Sequence, residues 1–118
     1  MLLLALSAML VGCEDNNGVS YSDYPIAGKS YKTELIDGTD YDIISFNNNG
    51  SGIYEAVWSE GKSNKRIYWT MEGNRIDVYY NAKHTDFLDY FIYHDTYLVR
   101  GENTVGEHTF GLTFYKVD

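Results

Sequence analysis

The sequence predicts an all-β fold, a single antiparallel up-and-down meander of about eight strands closing into a small barrel. Three observations predict it. From Gly28 onward the apolar residues follow no helical period and instead fall into short runs rich in β-branched and aromatic residues. Turn clusters built on Gly, Asn and Asp separate those runs, supplying the positive φ that tight connections need. Within the runs, apolar and polar residues alternate, as a half-buried sheet requires. Twelve tyrosines against a single proline point the same way. With 118 residues the chain suffices for one domain.

Met1 to Gly12 carries no charged side chain and runs from Leu2-Leu3-Leu4-Ala5-Leu6 into Met9-Leu10-Val11-Gly12. It is too short to span a bilayer as a helix and reads as the core of a signal peptide over residues 1–12. Leu10-Val11-Gly12-Cys13 resembles the bacterial lipobox, in which small residues precede a cysteine that is acylated and becomes the new N-terminus. Cys13 is the only cysteine in the chain. The resemblance implies lipidation at Cys13, palmitate among the acyl chains, and anchoring in a bilayer. Removing residues 1–12 from 118 leaves a mature chain of 106. Only Met1 precedes the leucines, so the positive n-region of such signals is missing, which points to a start codon upstream. The alternative is an N-terminal buried segment with an ordinary cysteine.

Residues 13–25 are polar and short of aliphatics, and read as a flexible lipid-anchored tether. Extended at about 3.3 Å per residue, the tether reaches on the order of 40 Å. Glu14-Asp15 resembles in part the acidic export tags of surface lipoproteins in Bacteroidota, with a plain solvated linker as the alternative. The expected location is the bacterial envelope, anchored to the outer membrane and facing either the periplasm or the surface.

The barrel domain is expected over residues 26–118. Its strands are Lys29–Ile36, Tyr41–Phe46, Gly52–Trp58, Arg66–Met71, Arg75–Asn81, Phe87–Tyr93, Thr96–Arg100 and Thr109–Val117, with turns that include Glu60–Asn64 and Gly101–His108. Closure removes the exposed edges of an open sheet. The expected core faces are Ile67, Trp69 and Met71; Ile76, Val78 and Tyr80; and Phe110, Leu112 and Phe114. Tyr68, Tyr79 and Tyr115 fall on the opposite, half-wet face. These inward residues are large, which favours a filled interior over a hollow one.

Gly28-Lys29-Ser30-Tyr31 resembles the Gly-x-Trp opening of lipocalin-like domains, with an extra residue and Tyr in place of Trp. Phe46-Asn47-Asn48-Asn49-Gly50-Ser51-Gly52 resembles the Phe, polar turn, Gly-x-Gly hairpin of small lipocalin-like lipoproteins from gut Bacteroidota. Ile67 to Ile76 and Tyr97-Leu98-Val99 fit the same pattern. The similarity implies a lipocalin-like barrel and an envelope location, and carries over no catalytic residues.

The chemistry-bearing residues add little to this. His84, His94 and His108 have no partner at metal-ligand spacing and belong to loops or their edges. Asp37, Asp40 and Asp42 offer oxygen ligands without the spacing of a calcium loop, so turn formation is the preferred reading. Ser51 stands in a hairpin turn, with no nucleophile elbow around it, and no phosphate-cradling loop is present. No catalytic residue, metal or cofactor is therefore expected, and the chain is read as a non-enzyme. A net charge of −8 argues against nucleic acid as a partner. What remains is binding of a small apolar or amphipathic ligand. Trp58, Trp69, Tyr80 and Tyr90 offer flat aromatic faces with polar tips, although Trp69 also fits the core. The alternative is a protein-interaction or inhibitor module that presents an acidic, tyrosine-rich surface to another envelope protein.

Overall fold

The computed structural model describes residues 20–35, 38–105 and 108–117, with the backbone alone between 102 and 111. Eight strands form one closed barrel: β1 (Ser30–Thr33), β2 (Tyr41–Phe46), β3 (Ser51–Trp58), β4 (Gly61–Glu72), β5 (Arg75–Tyr79), β6 (Phe87–Tyr93), β7 (Tyr97–Val105) and β8 (His108–Val117). Each strand pairs antiparallel with the next, and β8 closes onto β1 with Ser30 opposite Val117 and Thr33 opposite Phe114. The up-and-down barrel expected from the alternation is the fold observed.

Strand bounds differ from expectation where side-chain character misled. β4 begins at Gly61, so most of the expected turn Glu60–Asn64 is strand. The reversal is confined to Ser59-Glu60, with Trp58 opposite Gly61. The polar stretch Lys62–Arg66 looks like loop, but the ladder with β3 holds it extended. β7 likewise runs to Val105 through the expected turn at Gly101–His108. In contrast, β1 stops at Thr33 and β5 at Tyr79. After β5, Asn81 organises the loop: its Oδ1 accepts from the N–H groups of Thr85 and Asp86, and its Nδ2 donates to Thr85 Oγ1.

The core fills one end of the barrel. Tyr31, Ile44, Phe46, Ile67, Trp69, Ile76, Val78, Phe91, Leu98 and Phe114 are all buried, each from the inward face of its strand. Their rings meet edge to face, with Phe46 5.7 Å from Trp69 and Phe91 5.5 Å from Phe114. Two of the expected core members lie elsewhere: Tyr80 is 40% and Leu112 37% exposed, because both stand beyond the filled layer. The side chain of Phe110 lies outside the described residues.

The segment leading into β1 closes this filled end. Residues 1–19, and with them the signal-peptide reading and Cys13, lie outside the described residues. Of the stretch 13–25 read as a tether, residues 20–25 are described and are seated on the barrel. Ser20 and Asp23 form a reciprocal capping box around a single 3-10 turn, Tyr21–Asp23. Tyr21 and Tyr24 then present their edges to Trp69 at 5.0 and 5.9 Å, and Ile26 is fully buried beneath them. The aromatic content of this short stretch, overlooked among its polar neighbours, is what makes it pack.

Gly50 admits that packing. It has φ +90°, and a Cβ there would lie 2.6 Å from the Tyr21 ring. Gly50→Ala combines left-handed strain with displacement of Tyr21, and is expected to destabilise the domain by about 2 kcal/mol. Chemical denaturation checks this, and an unchanged midpoint would show that the Tyr21 contact contributes nothing.

Candidate functional site

Above the apolar core, four polar side chains project from inward positions of four strands. Asp42 lies two residues before Ile44 on β2, Tyr54 two after Gly52 on β3, Asp89 two before Phe91 on β6, and Arg100 two after Leu98 on β7. They form one chain of hydrogen bonds across the lumen. Asp89 Oδ2 accepts from Arg100 Nε at 2.9 Å, Arg100 Nη1 donates to the Tyr54 hydroxyl at 2.7 Å, and that hydroxyl donates to Asp42 Oδ2. The Arg100 guanidinium also lies 5.2 Å from the Tyr54 ring centre.

The two aspartates are each held by a further bond. The Asp89 Oδ1 accepts the Tyr90 N–H at 2.8 Å, and the Asp42 N–H donates to Thr33 Oγ1 at 3.0 Å. Gly101, at φ +48°, leaves room for the Asp89 carboxylate, since a Cβ there would stand 3.1 Å from Asp89 Oδ1. Burial pushes the Tyr54 hydroxyl well above its ordinary pKa, and its bond to Asp42 adds to this while Arg100 opposes it. Burial works against the Arg100 charge, but its bonds to Asp89 and Tyr54 outweigh the penalty and raise its pKa. Tyr54 therefore stays a protonated donor and Arg100 a fixed cation. Two carboxylates against one guanidinium give these four side chains a formal charge of −1, with Lys65 at the β4 position opposite Tyr54. No hydrogen bond within the described residues engages Arg100 Nη2.

Beyond the polar layer, several inward positions are apolar and meet solvent. Leu35 (59% exposed), Trp58 (41%), Tyr80 and Leu112 continue the inward alternation of β1, β3, β5 and β8 at the end away from the N-terminal cap. A groove of about 370 Å³ runs beside this mouth, lined by Thr33, Glu34, Leu35, Leu112, Thr113 and Tyr115. The arrangement is a polar floor beneath an apolar rim.

The sequence-predicted binding residues divide between these regions. Trp58 and Tyr80 stand at the mouth. Trp69 does not: it is fully enclosed by Tyr21, Tyr24 and Phe46, with Nε1 donating to the Ser51 carbonyl at 3.0 Å. Tyr90 faces outward, 4.3 Å beneath the Arg75 guanidinium. Tyr54, Asp89 and Arg100 were missed, and Asp42 was weighed only as a calcium ligand. A charged residue at a core-face position of an alternating strand was the available signal.

The remaining polar candidates have structural partners. Asp40 accepts from Thr39 Oγ1 at 2.8 Å, and Asp37 lies outside the described residues. Among the described residues, no group of three or more His, Cys, Asp or Glu side chains is placed to hold a metal ion. His84 stacks on Tyr79 and His94 on Tyr97, both at 4.7 Å, whereas the side chain of His108 lies outside the described residues. Ser51 donates through N–H and Oγ to Asn49 Oδ1, as a turn residue does.

At the capped end, Tyr31 and Tyr93 line a cleft of about 250 Å³ with Pro25, Lys29, Asp95 and Lys116. Burial, with Tyr93 and Asp95 nearby, pushes the Tyr31 hydroxyl up to about 12. A tyrosine whose folded pKa is raised stabilises the fold fully below its unfolded value of about 10 and loses that contribution as pH rises towards the folded value. Tyr31 and Tyr54 should therefore each cost the fold stability as pH rises above about 10. Thermal denaturation at pH 9 and pH 11.5 tests this. Tyr31→Phe should reduce the alkaline loss and leave the Tyr54 part, and an equally steep loss in that variant would show that Tyr31 does not contribute.

Comparison with protein-family models, curated proteins and solved structures gave no match to this chain.

Proposed function

We propose that this chain is a lipid-anchored bacterial envelope lipoprotein whose lipocalin-like barrel binds a small amphipathic molecule at its mouth, without catalysing a reaction. The observation that carries the reading is the Asp42–Tyr54–Arg100–Asp89 layer in the lumen. Taking charges out of water costs several kcal/mol per ion, and an apolar layer of the same volume stabilises a purely structural barrel as well or better. A hydrogen-bonding floor under an apolar rim suits a ligand with a polar head and an aliphatic body. The carboxylates at the two ends of this chain of bonds favour an uncharged head that both donates and accepts over a carboxylate or phosphate. Acylation of Cys13 supplies the bilayer attachment, and the outer membrane is the proposed location.

Titration of the protein with monolauroylglycerol, read through tryptophan emission, tests the site. The expected result is a saturable blue shift that is lost in Trp58→Phe, because Trp69 is already enclosed, and is weakened about tenfold or more in Arg100→Met. Laurate, with the same tail and a charged head, should bind more weakly. A response that survives both substitutions would remove the ligand from this mouth. Anchoring is tested separately: Cys13→Ser should abolish incorporation of an alkyne-tagged palmitate and release the protein from the membrane fraction.

A further inference from the structure

The β4 strand outruns its neighbour. It pairs with β3 along Gly61–Tyr68, whereas β5 joins it only from Tyr68 onward. The reason is local to β5, which ends at Tyr79; the following loop is tied to itself, with the Tyr80 N–H donating to the Asp86 carbonyl at 2.7 Å. Among the described residues, 61–67 of β4 thus have a partner strand on one side only.

The direction of the free groups follows from one bond. Trp69 donates its N–H to the Gly50 carbonyl on the β3 side at 2.9 Å. Backbone groups alternate in direction along a strand, and the β3–β4 register is unbroken. The N–H and C=O of Ile67, Lys65 and Ser63 therefore face β3, and those of Arg66, Asn64 and Lys62 face away from it. The free edge offers three donor and acceptor pairs over about 14 Å.

The edge is basic within an acidic protein. Lys62, Lys65 and Arg66 are three of the nine cationic side chains in a chain of net charge −8, and residues 61–66 are all exposed. Lys62 pairs with Glu55 at 3.2 Å. Among the described residues, no carboxylate lies within ion-pair distance of Lys65 or Arg66. Two copies meeting edge to edge about a two-fold axis would set these cations against one another, which is unfavourable and is a known protection against self-association. An acidic strand meets no such obstacle.

We propose that the Lys62–Arg66 edge of β4 is a docking site for an extended, acidic peptide segment of another protein, added as a strand beside β4. Main-chain bonds at Lys62, Asn64 and Arg66 hold it, and the cationic side chains select its charge. The edge adjoins the mouth, since Gly61 stands opposite Trp58, but the proposal rests on the backbone groups and charges of β4 and stands without the mouth's ligand.

The test uses the isotope-labelled full chain and a capped eight-residue peptide of alternating Thr and Glu, with the Thr and Lys counterpart as control. Hydrogen exchange at the Lys62, Asn64 and Arg66 amides should slow about tenfold or more with the acidic peptide and remain unchanged with the basic one. Asn64→Pro deletes the central outward N–H while leaving the β3 ladder bonds, and should weaken binding about tenfold. Should that variant not fold, the Lys65→Glu, Arg66→Glu double variant serves instead, and is expected to reverse the preference to the basic peptide. Binding without slowed exchange at these three amides would show plain charge attraction and overturn the proposal, as would failure of the acidic peptide to bind. Concentration-dependent protection in the absence of peptide would assign the edge to a second copy and overturn it equally.

Discussion

Trp69→Ala is expected to lower the stability of the domain by about 3–5 kcal/mol. The indole is fully buried and is the common contact of three other rings, Tyr21, Tyr24 and Phe46. Truncation leaves a void that this packing cannot close. It also removes one of the two hydrogen bonds to the Ser51 carbonyl, which keeps only the Asn47 N–H at 2.8 Å. For a domain of this size the loss corresponds to a fall in Tm of roughly 15–30 °C. Because Tyr21 and Tyr24 rest on the lost ring, residues 20–25 should become the first site of proteolytic cleavage in the variant. A Tm equal to that of the parent would mean that the ring stabilises nothing.

The second large effect is expected at Arg100. Replacement by Met removes the guanidinium of the lumen layer and leaves the Asp89 carboxylate without its ion-pair partner and the Tyr54–Asp42 pair without the Arg100 donor. Breaking a buried pair costs about 3–5 kcal/mol; the Arg100 and Asp89 side chains are 26% and 31% exposed, which brings the expected loss to roughly 2–3 kcal/mol. The diagnostic is the double variant Arg100→Met with Asp89→Leu. Removing both charges should restore much of what the single change loses, giving a coupling of at least 1 kcal/mol in a double-mutant cycle. Additive losses would show that the two side chains do not act as a pair.

The closed meander was legible because a sheet with one buried face writes its period into the sequence: Ile67-Trp69-Met71 and Ile76-Val78 fall inward, and the Tyr68–Tyr79 pair falls outward. Strand ends were less legible. Lys62–Arg66 has the composition of a loop, and only its ladder with β3, a contact between distant residues, makes it a strand. The site was half visible for a related reason. Trp58 and Tyr80 are conspicuous as residue types and do stand at the mouth. The floor is made of four common residues from four strands, between 11 and 46 positions apart along its hydrogen bonds. No local spacing records such a meeting, which exists only once the barrel has closed.

The seating of the N-terminal segment also decides how the protein would bear force. A pull applied through residue 20 acts first on the Tyr21 and Tyr24 contacts with Trp69, which can peel away one ring at a time. The next element in line is β1, which is laddered on one flank to β2 and on the other to β8. Drawn along its own axis, β1 must break both ladders together rather than unzip bond by bond. The barrel is thus built with a yielding first joint and a shear-loaded second one, so that a tug on the N-terminal side would free the aromatic cap long before it opened the barrel.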